Sequence, residues 1–211
     1  MVAQALLIID YTNDFVADNG ALTAGAPAQA IATSIVTLAD QFLSAGDDVI
    51  LPTDLHVAND PHHPETKLFP PHNLANTWGR EFYGPLATWY AAHKDDEHVY
   101  AFAKNRYSAF ANTNLDNYLR ERHITDLHLT GVCTDICVLH TAVSAYNLNY
   151  PLTIHEQAVA TFTPNGQEWA LAHFKDSLNA KIERWSMRLV LSISLVPWIK
   201  SGLWTLFAKR S

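Results

Sequence analysis

The stretch DLHLTGVCTDICVLHTAVSAY, residues 126–146, decides the fold. Its first part, Asp126 to Val132, is a short β-rich apolar run. From about Thr134 to Asn149 the pattern changes. Val138, Ala142, Ala145 and Tyr146 recur at helical spacing, and Thr134 is a plausible N-cap. A strand that runs straight into a helix is one half of a βαβ unit, and it places Cys137 in the first helical turn.

The same alternation extends in both directions. Strands are expected at Ala5 to Ile9, Asp48 to Thr53, His98 to Ala103 and Leu152 to His155, with a short sixth at Ala180 to Glu183. Between them, Ala26 to Ala45 carries Ile31, Ile35, Leu38, Ala39 and Phe42 at helical spacing, and Gly46 is a natural terminator. Asn114 to Arg122 reads as a short helix capped by Asn112, Thr113 or Asn114, and Gly166 to Leu178 as a last one. Trp78 to Lys94 is aromatic and only loosely helical. Asp60 to His72, rich in Pro and His, reads as a long functional loop. The expectation is an α/β fold around a parallel sheet.

Bulk properties narrow the function. The 211 residues, 48% hydrophobic and 17% charged, suit one compact domain, and a formal net charge of -7 argues against a nucleic-acid surface. Two cysteines four residues apart do not make a disulfide framework, and eleven histidines point to reactive or ligand chemistry in a reducing compartment. The N-terminus lacks the basic n-region of a signal peptide, so a cytoplasmic protein is expected.

Composition changes sharply at Arg184. Residues 184–211 hold five bases (Arg184, Arg188, Lys200, Lys209, Arg210), three tryptophans and no acid. Residues 1–183 therefore keep nine bases against twenty-one acids, a formal -12. The reading is one domain over 1–183 and a basic extension over 184–211. The apolar part of that extension is shorter than the roughly 20 residues of a bilayer span. A helix on a membrane surface ranks below a subunit-packing extension or a segment of unrelated origin, and a homo-oligomer is expected.

Three apolar runs end in reactive groups: ALLIID in Asp10, EHVYAFAK in Lys104, and the opening stretch in Cys137. A parallel sheet gathers such strand ends at one rim. At a helix N-terminus the free N–H groups and the dipole favour a thiolate, lowering the pKa of Cys137, and could stabilise an oxyanion. Asp10 is the candidate proton acceptor. Lys104 would hold that carboxylate and stabilise developing negative charge. A small buried cysteine is more often packing than chemistry. The Asp and Lys at two other strand ends turn the balance for Cys137, while Cys133 reads as packing plus a backbone N–H donor.

A second cluster has the composition of a metal site. Asp54 and His56 at i and i+2 point the same way in an extended chain, and His72 can fold back beside them. Of the loop residues, His62, His63 and Glu65 are each candidates for the remaining ligand. Mixed carboxylate and imidazole donors suit one divalent ion, Zn, Mn or Fe. An isolated Asp-x-His is usually a solvated strand end. The added Glu65 and His72 favour metal.

Taken together, LLIIDYTNDF, the DLH pair with the later PPH, KNRYSAF and GVCTDICVLHT resemble the isochorismatase-like cysteine hydrolases, and within them the nicotinamidases, over about residues 3–183. The resemblance implies a three-layer doubly wound sandwich with a mostly parallel sheet of about six strands. It implies Asp10, Lys104 and Cys137 as a catalytic triad. It also implies an oxyanion hole of the Cys133 and Cys137 N–H groups, after a cis bond between Val132 and Cys133. Asp54, His56 and His72 become metal ligands, with Glu65 fitting one version of the family's spacing and His62 another. Phe15, Phe69 and Tyr107 become aromatic walls for a flat heteroaromatic substrate. The implied activity is metal-dependent hydrolysis of nicotinamide through a cysteine thioester. Its rivals are a metal-independent amidase of the same fold acting on a carbamoyl or ureido compound, and a catalytically silent homologue that binds a metal or a partner.

Overall fold

The run AQALLII offers apolar side chains to both pleat faces, which suits only a strand covered on both sides. In the computed structural model, which describes residues 3–184, this run is β1 (Ala3–Ile9). Around it lie β2 (Asp48–Asp54), β3 (Val99–Lys104), β4 (Ile124–Val132), β5 (Leu152–Ala160) and β6 (Lys181–Glu183). They form one six-stranded sheet in the order β3-β2-β1-β4-β5-β6, and every pairing is parallel. The helices are α1 (Asn13–Val16), α2 (Ala26–Ala30), α3 (Ala32–Ala45), α4 (Gly84–His93), α5 (Leu115–Glu121), α6 (Leu139–Asn147) and α7 (Pro164–Leu178).

Strand alternation divides the core in two. Leu7, Ile9, Leu127, Leu129 and Ile154 face the layer that carries Leu115, Leu119, Ala142 and Phe174. Leu6, Ile8, Val49 and Leu51 face Ile35, Leu38, Phe42, Leu86 and Trp89 on the other side. This is the three-layer, doubly wound arrangement that the sequence predicts.

The strand order reverses between β1 and β4, and in such sheets ligands bind beyond the strand ends at that point. Gly131 makes the close approach possible. Its φ is +106°, and a Cβ there would lie 2.0 Å from the Ile9 carbonyl oxygen. Only glycine fits.

The differences from expectation have local causes. Helix 26–45 is broken at Ile31, because the Ala28 carbonyl that a continuous helix would offer to Ala32 accepts the Tyr11 hydroxyl at 2.7 Å. Gly46 does terminate α3, in the left-handed conformation, with Gly46 and Asp47 N–H groups on the Leu43 and Phe42 carbonyls. Strand β5 runs five residues past His155, because a shift in its register against β4 accommodates the polar Glu156 and Gln157. Trp78 to Lys94 resolves into a 3-10 turn at Trp78–Arg80 and α4, which starts at Gly84-Pro85. Thr134 is not the cap. Its hydroxyl donates to Gln167 at 2.6 Å, and Cys133 is the N-cap of a wide π-type turn, Thr134–Val138, that leads into α6.

Among the described residues no helix is long and apolar enough to cross a membrane. The basic extension expected from residue 184 onward lies outside the described residues except for Arg184, whose guanidinium pairs with Glu156.

Candidate active site

Each reactive side chain is delivered by the end of a strand. Asp10 follows β1, Asp54 ends β2, Lys104 ends β3 in register with Asp54, and Cys137 sits on the wide turn after β4. Asp10 has φ +54°, a left-handed turn that Asp tolerates better than most residues, and its carbonyl accepts the Thr12 N–H at 2.8 Å. Its Oδ1 accepts the Asp54 N–H at 2.8 Å. The adjacent strand ends are thus tied together by the carboxylate itself.

Lys104 connects the two clusters. Its Nζ lies 2.6 Å from Asp10 Oδ2, 2.5 Å from Asp54 Oδ1 and 3.1 Å from the Arg106 carbonyl. An ammonium has three donors. Two of them serve the Asp54 carboxylate and the Arg106 carbonyl, and the Asp10 carboxylate stands beside the ammonium as an ion pair. Lys104 thus bridges and positions two carboxylates.

Burial dominates the electrostatics. Asp10, Lys104 and Cys137 are almost entirely buried. Burial and the Asp54 charge push the Asp10 carboxyl up to about 7, against the pull of Lys104 and the Cys137 thiol. Burial opposes the charges of Lys104 and Asp54 too, but the Asp10 and Asp54 carboxylates hold the ammonium above its ordinary range, and Lys104 holds the Asp54 carboxyl below its own. Burial also raises the Cys137 thiol well above its usual value, and the nearby Lys104 only partly offsets this. The balance at the sulfur runs toward the thiol, against the lowering expected from the helix dipole, and a carboxyl raised toward neutrality stands beside it.

The second cluster lies on the other side of Asp54. Asp54 Oδ2, His56 Nε2 and His72 Nε2 are buried and have no hydrogen-bond partner among the described residues. Donor atoms of these three residues fall within 4.8 Å of one another. His56 Nε2 is 3.5 Å from Asp54 Oδ2, and His72 Nε2 is 3.7 Å from Glu65 Oε2. Unpartnered, converging donors of this kind are costly unless something occupies the space between them, and a divalent cation fits. The His72 Nδ1 lies 2.9 Å from the Pro70 carbonyl, which can only accept. Its proton is therefore on Nδ1, and Nε2 presents a lone pair to the cluster.

The loop candidates separate clearly. Glu65 is buried beside His72, whereas His62 is exposed. Both nitrogens of His63 are occupied: Nε2 donates to the Asn105 carbonyl at 2.8 Å and Nδ1 accepts the Glu65 N–H at 3.3 Å. His63 thus orients Glu65.

Sequence reading missed the residues that fix this loop. Asp14 accepts the Asn73 N–H at 2.7 Å, and the Thr12 hydroxyl donates to Asn73 Oδ1 at 2.9 Å, which pins the backbone next to His72. Arg80 Nε donates to the Asp54 carbonyl at 2.9 Å. Thr12 and Asp14 stand within LLIIDYTNDF, but Asn73 and Arg80 carry no local signal.

Between the clusters is a small cavity lined by Phe15, Phe69, Tyr107, Cys133 and Cys137, with Asp54 and Glu65 at one side. The three aromatics singled out from sequence, Phe15, Phe69 and Tyr107, are thus brought together around one cavity. Leu22, Ile136 and Phe162 also line it and were not anticipated. The Val132–Cys133 peptide is cis, as the resemblance implies.

Comparison with known proteins agrees with this geometry. The isochorismatase domain family matches residues 4–185. An uncharacterized isochorismatase family protein, PncA of Bacillus subtilis, is 52% identical over 179 residues, which is 85% of this chain and 98% of that protein. The crystal structure of a nicotinamidase/pyrazinamidase PncA from the same organism has a TM-score of 0.85 at 54% identity, covering 87% of this chain and 100% of that one. A pyrazinamidase/nicotinamidase from Streptococcus mutans reaches 0.84 at 49% identity, with 86% and 100% covered. A pyrazinamidase of Pyrococcus horikoshii in complex with zinc reaches 0.76 at 26% identity, with 86% and 99% covered.

Proposed function

The chain belongs to the isochorismatase family, and we propose that within it this protein is a metal-dependent nicotinamidase, hydrolysing nicotinamide to nicotinate and ammonia. The observation that carries the reading is the Lys104 ammonium shared between Asp10 and Asp54. It joins a thiol and its base to a set of metal donors in one buried pocket.

The nicotinamide ring lies between Phe15, Phe69 and Tyr107, with its carboxamide carbon against Cys137 Sγ. The Asp10 carboxylate takes the thiol proton as sulfur attacks that carbon. Negative charge develops on the former carbonyl oxygen, and the Cys133 and Cys137 N–H groups donate hydrogen bonds to it. On collapse the C–N bond breaks, Asp10 returns its proton to the leaving nitrogen, and ammonia departs from a Cys137 thioester. A water molecule, deprotonated by Asp10, attacks the thioester. Nicotinate leaves, and the sulfur recovers its proton from Asp10. Lys104 keeps the carboxylate in place throughout.

Asp54, His56, Glu65 and His72 are the residues that would hold one divalent ion, Zn, Mn or Fe, and the zinc complex of the Pyrococcus relative supports zinc. Such an ion supplies a Lewis-acid anchor for the ring nitrogen and polarises water.

The test is release of ammonia and nicotinate from nicotinamide by metal-replete protein, with and without a chelator. Turnover that disappears on chelation and returns with Zn²⁺ or Mn²⁺ is expected. No turnover of nicotinamide in any metal state refutes the reading, and amidase activity that survives complete chelation favours the carbamoyl or ureido alternative.

A further inference from the structure

A different set of donors lies well away from the pocket. Leu127, Leu129 and Ile154 face the layer of α5, α6 and α7, so the alternating residues His128 and His155 face the opposite layer. Glu183 of β6 pairs in register with His155, and the His128 ring meets Phe42 of α3 edge-on at 4.9 Å. His128 is four residues before Val132, about 13 Å back along β4 from the active-site rim.

The geometry is that of a chain. His128 Nδ1 is 2.8 Å from His155 Nε2, and His155 Nδ1 is 3.3 Å from Glu183 Oε2. The His155 side chain is 3% exposed, yet its Nδ1 makes no well-formed hydrogen bond among the described residues. Lys181 holds the other Glu183 oxygen at 2.7 Å. The group opens on a cavity of about 450 Å³ whose wall includes the Asp47 carboxylate, Gln4 and Gln41, with Arg184 at its edge.

We propose that His128, His155 and Glu183 form a second metal site, for a divalent transition ion of the zinc class. One donor atom from each lies within 4.8 Å of the others. Glu183 Oε2 faces His155 Nδ1 and can only accept from it, so closing that contact directs the His155 lone pair to Nε2, the carboxylate–imidazole arrangement that accompanies metal ligation. Two facing imidazole nitrogens can share one proton, and a cation can replace it. With Zn–N bonds of about 2.0–2.1 Å in a tetrahedron, the nitrogens must separate to about 3.3 Å. A small swing of the half-buried His128 ring gives that. Water, or Asp47 from the cavity wall, completes the shell. The competing reading is a neutral imidazole pair that shares a proton and binds nothing.

The test uses the full chain carrying His56→Ala and His72→Ala, which silences the active-site cluster. Co²⁺ titration, followed by its ligand-field absorption and by metal analysis, should still find one equivalent per chain. Adding His128→Gln should abolish it, and Glu183→Gln should weaken it about 10–100-fold. In the otherwise unaltered protein, His128→Gln should leave nicotinamide turnover unchanged. Independently of any variant, Zn²⁺ should shift the ¹⁵N resonances of the His128 and His155 rings in the wild-type protein. Ring resonances that do not move, or a Co²⁺ equivalent that survives His128→Gln in a folded protein, overturn the proposal.

Discussion

Among the described residues, Lys104 is the cation that pairs with both buried carboxylates, Asp10 and Asp54. Removing one partner of a buried ion pair typically costs about 3–5 kcal/mol, because the remaining charge has no compensation. Lys104→Met should lower stability to urea by about that amount in metal-free protein, and a loss under about 1 kcal/mol would mean that the bridge is dispensable. Asp10→Asn keeps the shape but cannot take a proton, so kcat should fall about 10²–10⁴-fold with little change in KM. The trio was legible in the sequence because each member ends a strand-like run. The state of the sulfur was not. Helix dipoles can be read from spacing, but the burial that outweighs them depends on packing from the whole chain.

At the scale of elements, the β1–β4 contact depends on a residue with no side chain. Gly131→Ala would place a methyl group against the Ile9 backbone in a left-handed conformation, and should destabilise the fold by about 2–4 kcal/mol, measured by thermal or urea unfolding. A neutral result would show that the two strands can part at no cost. The other end of the sheet holds a pH-dependent contact. Asp48, buried at the start of β2, accepts from His98 Nδ1 at 2.8 Å and from the Tyr118 hydroxyl at 2.9 Å. The bond to Asp48 raises the His98 pKa above its usual 6.5. The stabilisation is therefore complete below about 6.5 and fades as pH rises through the higher folded-state value. Because the His98 side chain is 39% exposed, the effect is only about 0.5 kcal/mol. The stability difference between wild type and His98→Gln should shrink from pH 6 to pH 8.5, and a constant difference would contradict it. Strand positions were legible from period-two apolar patterning. The break at Ile31, the length of β5 and the cap before Cys137 were not, since each depends on a partner distant in sequence: Tyr11, β4 and Gln167.

For the whole molecule, the reversal of strand order between β1 and β4 gathers acid, amine, thiol and metal donors from four strand ends into one pocket. The metal cluster was readable as a composition, but only the folded loop separates Glu65 from the exposed His62 and the fully bonded His63. Metal that binds only folded protein stabilises it by mass action, about 2.7 kcal/mol at a hundred times the dissociation constant. In His128→Gln protein, Zn²⁺ should raise the midpoint of unfolding, a chelator should reverse this, and His72→Ala should remove the response. A response unchanged by His72→Ala would place the ion elsewhere. The most direct test of the account is kcat/KM for ammonia release from nicotinamide by metal-replete Cys137→Ala, alongside wild type. Loss of the attacking sulfur should lower it by about 10³-fold or more while the protein stays folded and metal-loaded. A variant within about tenfold of wild type would contradict nucleophilic attack by this cysteine.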